Sequence, residues 1–347
     1  MSTPDKPIDD SPVPASGLLV EWRDDSPPER TVHNVACAAV EHVDLVRSRE
    51  ELRKTEADQY DFVLINYDSV THEECLEIFD LLAIREQGHR VLLHSEEIEG
   101  AEFAALFEGL GVSKFVARNH GSRSNELYTT IRKLLDQNIF GIEKYFAWGA
   151  KRSKRVLESS EQILDVVDEA GEFVDEIGLS RRLVRNFELV TGELVSNAIY
   201  DAPVDEQGNP RFRDTSRTES VQLDEDESVE VSFCRDGERV GVSVVDPFGS
   251  LSRERITEYL ARCHRSDADQ LDWSSGGAGL GLYQAFNSLT HFVANVDPGH
   301  RTEVIGLLNM TTNYRRFVEQ GKSLNLFVTD TTGRSVAIDE SDSSEVG

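Results

Sequence analysis

Two short stretches carry side chains that could do chemistry together. In "GELVSNAI" (192–199), Glu193 and Asn197 stand one helical turn apart, so both project from one face. In "WSSGGAGLGLYQAF" (273–286), four glycines fall within residues 276–281, and an apolar, helix-like segment follows at once. Glycine lets main chain approach a ligand closely. The free N–H groups of a helix start suit an anion. Gly277, Gly279 and Gly281 are therefore candidates for a phosphate cradle, the alternative being a flexible loop capped by a helix. Glu193 alone could be an ordinary solvent-facing glutamate, and a strand-end aspartate such as Asp246 could be a turn starter.

The elements that must position these residues can be read from periodicity. "LVTGELVSNAIYDAP" reads as a helix. "SVEVSFCRDGERVGVSVVDPFGSL" reads as a hairpin turning at "RDG", with its second strand ending at Asp246. After a variable segment and the glycines come a helix from about Leu280 to Leu289 and two strands, "HFVANV" and "TEVIGLLNM". Upstream, "GLLVEW", "DFVLIN", "RVLLHS" and "SKFVAR" read as buried strands. They alternate with the helix-like "SREELRKTEAD", "HEECLEIFDLLAIREQ", "AEFAALFEGLG" and "SNELYTTIRKLLDQN". Such alternation predicts a doubly wound parallel sheet. Between the halves, "GIEKYFAWGAKRSKR" reads as a mixed aromatic and basic connector. The segment after it places Ile163, Val166, Val167, Phe173 and Val174 near one helical face. The reading is a leader over 1–16, an α/β domain over 17–138, a helical connector over 139–177, a second domain over 178–330 and an acidic tail over 331–347.

The 347 residues carry a net charge of −28, from 64 acidic and 36 basic side chains. A surface of that sign repels phosphate backbones, so no nucleic acid is expected as a partner. No run is long and apolar enough for a membrane span, and the polar, proline-rich start lacks a signal peptide's apolar middle. A cytoplasmic protein is expected. Cys37, Cys75, Cys234 and Cys263 are widely spaced and form no CxxC pair. They read as reduced structural thiols.

Taken in order, "GELVSNAI", "VVDPFG", "GGAGLGL" and "GHRTEV" resemble the N, G1, G2 and threonine-bearing boxes of the GHKL, or Bergerat-fold, ATP-binding domain. That domain occurs in histidine kinases and anti-sigma-factor kinases, and the resemblance covers about Ser180 to Met310. It implies a two-layer α/β sandwich binding ATP and Mg²⁺. Asn197 would hold Mg²⁺ through a neutral oxygen, and Glu193 would act as general base. Asp246 would accept a hydrogen bond from the adenine amino group with support from Thr302. Gly249 would keep the base pocket's wall low, and Gly277, Gly279 and Gly281 would wrap the phosphates. The 26 residues between Gly249 and Gly276 correspond to the family's mobile lid. Arg253, Arg255, Arg262, His264 and Arg265 there could meet a γ-phosphate or simply face water. The excursion over 201–230, with ten acids and three bases, reads as a surface insertion. Two departures stand out. The glycine positions of the usual DxGxG carry Phe248 and Ser250, and a position after the N box that is often basic is Asp201. Phe248 could pack on adenine or fill the pocket.

The first half is similar to a response-regulator receiver domain, a flavodoxin-like fold, over about 120 residues. The position matching the phosphoacceptor is Asn66, an amide. The hydroxyl and lysine positions match Ser95 and Arg118. Glu21, Asp24 and Asp25 are candidates for the acidic pair, and Asp68 is a displaced alternative acceptor. A degenerate receiver that docks a partner or dimerises is the favoured reading.

Between His120 and His264 there is no histidine, so a phosphoaccepting segment of an orthodox histidine kinase is missing. About 35 residues follow the last box, short of the transducer domain of the gyrase-like branches. The compact anti-sigma-kinase branch remains. It implies a bacterial signalling protein that phosphorylates a serine on an antagonist or switches partners, with a sigma factor, antagonist or response regulator as partner. The other expectations are a non-enzymatic nucleotide-sensing scaffold and a degenerate protein that binds no nucleotide. Homodimerisation through the connector's apolar face is a further expectation.

Overall fold

A computed structural model of the chain describes residues 15–22, 30–96, 98, 100–118, 125–252, 255–256, 280–310 and 314–329. The protein is α/β, built on a single mixed sheet of 11 strands in the order β2-β1-β3-β4-β5-β11-β9-β10-β8-β7-β6.

The N-terminal part of the sheet is parallel. Its strands are β1 (Ser16–Val20), β2 (His42–Val46), β3 (Phe62–Asn66), β4 (Val91–Ser95) and β5 (Lys114–Ala117). Because successive strand residues face opposite ways, continuous apolar runs feed two cores. Leu19, Phe62, Leu64, Leu92 and Val116 pack under α1 (Arg30–Ala39) and α5 (Asn125–Asp136). Leu18, Val20, Val63, Ile65, Val91 and Leu93 pack under α2 (Arg49–Leu52), α3 (His72–Leu81) and α4 (Gly100–Leu110). A capping box starts α3: the Thr71 hydroxyl accepts from Glu74 N, and the Glu74 carboxylate accepts from Thr71 N. The helix α1 and the strand β2 went unread in the sequence. β2 is the sheet edge and is partly exposed, so its apolar pattern is diluted.

In the C-terminal part, β7 (Val229–Arg235), β8 (Arg239–Asp246), β9 (His291–Asp297) and β10 (Arg301–Asn309) pair antiparallel in the expected hairpins. One face is covered by α6 (Ile163–Asp175), α7 (Arg181–Ser196) and α8 (Leu280–Asn287). The other face is covered by the 139–146 segment, whose Ile139, Ile142, Tyr145 and Phe146 bury against Val293, Ile305, Leu307 and Phe327.

Two expectations need correction. The 139–177 stretch is not a helical connector throughout, because Lys151–Leu157 forms β6, the outer edge strand paired with β7. Four of its seven positions are exposed and three of those four are charged, Lys151, Arg152 and Lys154, which suits an edge. The apolar face that suggested a dimer is buried within the chain, with Val166, Phe173 and Val174 packed beside Phe187 of α7. Secondly, β11 (Ser323–Val328), after the last recognised motif, inserts between β5 and β9 and joins the two halves. It is followed in space, not sequence, by a buried polar seam. Lys133 Nζ from α5 donates to Tyr145 Oη at 3.0 Å and Asn295 Oδ1 at 2.7 Å. Asn295 Nδ2 donates to Glu303 Oε2 at 2.9 Å, and Ser243 Oγ donates to Glu303 Oε1 at 2.7 Å. His291 Nε2 lies 2.6 Å from Glu126 Oε2. Burial pushes the Lys133 amine well below its usual range. Among the described residues no helix is long and apolar enough to cross a membrane.

Candidate functional site

A hollow opens between α7 and the C-terminal sheet. α7 earns its position through an apolar stripe (Leu183, Phe187, Val190, Leu194) buried on the sheet and a Ser180 cap that accepts from Leu183 N. Its last turn widens into a π turn over Asn197–Asp201, closed by Ala202 N donating to Asn197 O at 2.9 Å. Single π turns of this kind recur at functional sites. It brings Asn197 and Asp201 to the same hollow.

Asp246 ends β8 at the base of the hollow, and Thr302 of β10 is its register partner. Asp246 is 5% exposed. Its Oδ1 accepts from Phe248 N at 3.0 Å. Burial pushes its carboxyl up to about 7, against the pull of the Phe248 and Gly249 amides. The Thr302 hydroxyl also favours the charged carboxylate, yet it is buried and makes no hydrogen bond of normal geometry. An orphaned hydroxyl costs about 1–3 kcal/mol, which a ligand's polar edge would recover. Val244, Val304, Phe286, Phe292 and Leu324 supply apolar walls. Leu324 belongs to β11, so the hollow reaches the strand that joins the halves.

Gly249 sits at φ +58°, and a Cβ there would stand 2.2 Å from the Asp297 carbonyl oxygen. The loop after β8 can therefore press on the β9–β10 turn only as glycine. Ser250, at an expected glycine position, donates its hydroxyl to Ala202 O at 2.7 Å and ties this loop to the π turn. Phe248 is only half-buried and stands outside the hollow's lining, so it does not plug it.

Glu193 is half-buried one turn before Asn197. Burial raises its carboxyl, with Arg217 opposing and Asp201 reinforcing the shift. Gly281, in the first turn of α8, lies against it: a Cβ at 281 would stand 1.8 Å from Glu193 Oε2. The structure thus brings Asn197, Asp246 and Thr302 to one hollow, with Glu193 and Gly281 in contact one helical turn before Asn197 and Gly249 in the loop just after Asp246. Gly277, Gly279, Arg253, Arg262, His264 and Arg265 lie outside the described residues. Arg255 is described and lines the hollow. Sequence reading missed Arg217, whose segment looked like plain acidic surface, and marked Asp201 only as an acid at an often basic position after the N box.

The residues fit a magnesium nucleotide. Asp246 and the unsatisfied Thr302 present acceptor and hydroxyl to a base, the walls are apolar, and Asn197 offers a hard oxygen donor. Among the described residues no group of three or more His, Cys, Asp or Glu could hold a metal by itself. A cation here would take most of its ligands from phosphate and water, the usual habit of Mg²⁺.

In the N-terminal part of the sheet, the C-terminal ends of β3, β4 and β5 form a second polar cluster, next to the start of β11, where Ala117 N donates to Ser323 Oγ at 2.9 Å. Ser95 and Arg118 meet there around Asp68. Ser95 Oγ donates to Asp68 Oδ1 at 2.5 Å, Glu96 N donates to the same carboxylate at 3.1 Å, and Arg118 Nη2 donates to Asp68 Oδ2. The reason is the 3-10 turn over Tyr67–Ser69, which folds Asp68 back over the strand ends while Asn66 stays buried in β3. Glu21 is buried just past β1. Asp24 and Asp25 lie outside the described residues.

No protein-family model and no curated protein matches the chain. Among solved structures it is similar to the SiaB-SiaC complex from Pseudomonas aeruginosa, at 13% identity and a TM-score of 0.31. That similarity covers 44% of this chain and 88% of the other, and at this level it carries no argument about fold or activity.

Proposed function

We propose that the chain is a signalling protein that binds Mg-ATP in the C-terminal hollow and transfers or hydrolyses its terminal phosphate, in the manner of an anti-sigma-factor-like protein serine kinase or partner-switching regulator. The observation that carries this reading is the convergence of Asn197, Asp246 and Thr302, far apart in sequence, on one hollow with Glu193 and Gly281 in contact beside it.

The bound nucleotide supplies the transferable phosphoryl group. Asp246 would accept from the adenine amino group, and Thr302 would complete that polar edge. Asn197 would hold the metal through its amide oxygen. The start of α8 stands against Glu193, through Gly281. Glu193 takes the proton of an attacking hydroxyl or water. Its raised pKa makes it a better base than an exposed carboxylate. The partner is a protein bearing the accepting hydroxyl or docking on the nucleotide-bound form.

Glu193→Ala tests the reading. The variant is expected to bind Mg-ATP within a few-fold of wild type while ATP hydrolysis or transfer to protein falls by about 10²–10⁴. Unchanged turnover in a folded Glu193→Ala protein contradicts the base assignment. A wild-type protein that binds ATP yet shows no turnover supports a nucleotide-sensing scaffold instead.

A further inference from the structure

Two arginines converge on Asp201, at the end of the π turn. Arg217 Nη2 donates to Asp201 Oδ2 at 2.7 Å. Its guanidinium stacks 4.3 Å from the Tyr200 ring centroid, and Tyr200 Oη in turn donates to Glu219 O at 2.9 Å. Arg255 Nη1 donates to the Asp201 main-chain carbonyl at 3.4 Å. Asp201 is 6% exposed and lines the hollow, yet its Oδ1 is buried with no hydrogen-bond partner.

This arrangement is not an ordinary surface ion pair. A buried carboxylate beside Asn197 repels a polyphosphate at close range unless a cation neutralises it. Arg217 is that cation. It comes from an excursion otherwise rich in acid, and although its side chain is 42% exposed, the Tyr200 ring steers its guanidinium onto Asp201. Its charge is also felt at Glu193, so it reaches both carboxylates that flank Asn197. A planar guanidinium paired through one nitrogen keeps further N–H donors for a bidentate anion.

We infer that Arg217 is the phosphate-specificity residue of this site, held by Asp201 when the hollow is free of ligand and transferred to the terminal phosphates of a nucleoside triphosphate. The inference rests on the reading of the hollow as an ATP site. Asp201 then has two roles. It parks the arginine, and it penalises any anionic ligand that fails to recruit Arg217, which sets ATP above ADP and ADP above adenosine in dependence on that side chain.

The test is calorimetric titration of the full chain with Mg-ATP, Mg-ADP and adenosine, for wild type, Arg217→Ala, Arg217→Lys and Arg217→Ala/Asp201→Asn. Arg217→Ala is expected to weaken ATP by about 10–100-fold, the range of a charge-assisted pair. ADP should weaken less and adenosine not at all. Arg217→Lys should keep part of the ATP affinity, because the charge survives but the fork does not. The double variant should regain part of the loss, since the unpaired carboxylate is gone. ATP affinity equal to wild type in Arg217→Ala overturns the inference. So does an equal loss for all three ligands, which makes Arg217 a prop for the hollow. Failure of wild type to bind any of the three overturns the nucleotide reading itself, and this inference with it.

Discussion

Gly281 packs against the carboxylate of Glu193 so closely that a β-carbon at position 281 would stand 1.8 Å from Oε2. The glycine-rich stretch and the N-terminal helix of the site, about ninety residues apart in sequence, are thus in contact at the atom proposed to take a proton. The glycine is needed there because a side chain would displace that carboxylate, and the displaced group is the tip of a flexible chain rather than backbone.

Gly281→Ala is therefore expected to change stability little, by about 1 kcal/mol or less, while turnover of ATP falls at least tenfold. Gly249→Ala should behave in the opposite way. Its φ of +58° and its contact with the Asp297 carbonyl involve main chain on both sides, so a loss of about 1–3 kcal/mol is expected. Thermal unfolding of both variants, with an ATP turnover assay on each, checks the pair.

Asp246 makes stability and binding depend on pH in opposite directions. Burial pushes its folded pKa up to about 7, from an ordinary value of 3.8. Between those values the native state holds a proton that the unfolded chain has released, so this group lowers stability as pH rises from about 4 to 7. Asp246→Asn removes that dependence and should be more stable than wild type at pH 7.5, by on the order of 2–4 kcal/mol, with the gain vanishing near pH 4. Denaturant melts of both proteins across pH 4–8 measure it. Adenine requires the ionised acceptor, so wild-type ATP affinity should rise about tenfold from pH 6 to pH 8.

Because β11 pairs with both β5 and β9, the halves are expected to melt in one transition rather than two. Lys133→Ala cuts the seam at Tyr145 and Asn295. It should lower stability by about 2–4 kcal/mol and move both halves together. Near-ultraviolet and far-ultraviolet melts that coincide support this, and two resolved transitions contradict it.

The sequence exposed the site's local parts better than their assembly. Helical spacing puts Glu193 and Asn197 on one face and a strand end places Asp246, but their roles come only from the resemblance of the four ordered motifs; the parallel half follows from buried apolar runs such as Phe62–Asn66. Those signals are local and periodic. β11 was not legible because "SLNLFV" is short and its partners, Phe115 and Phe292, lie elsewhere in the chain. β6 was hidden by its charges, which an edge strand tolerates. Asp68 reads only as a displaced alternative acceptor in the sequence, because a 3-10 turn, and not strand register, decides where its carboxylate points. Arg217 was hidden in acidic composition. Only the fold shows that it reaches back to Asp201.

The most direct measurement is calorimetric titration of the full chain with Mg-ATP, alongside Asn197→Ala and Asp246→Asn. Saturable binding by wild type, weakened at least tenfold in Asn197→Ala when magnesium is present and at least tenfold in Asp246→Asn, is the predicted result. Wild-type protein that gives no heat with ATP, or binding that both substitutions leave intact, contradicts the account.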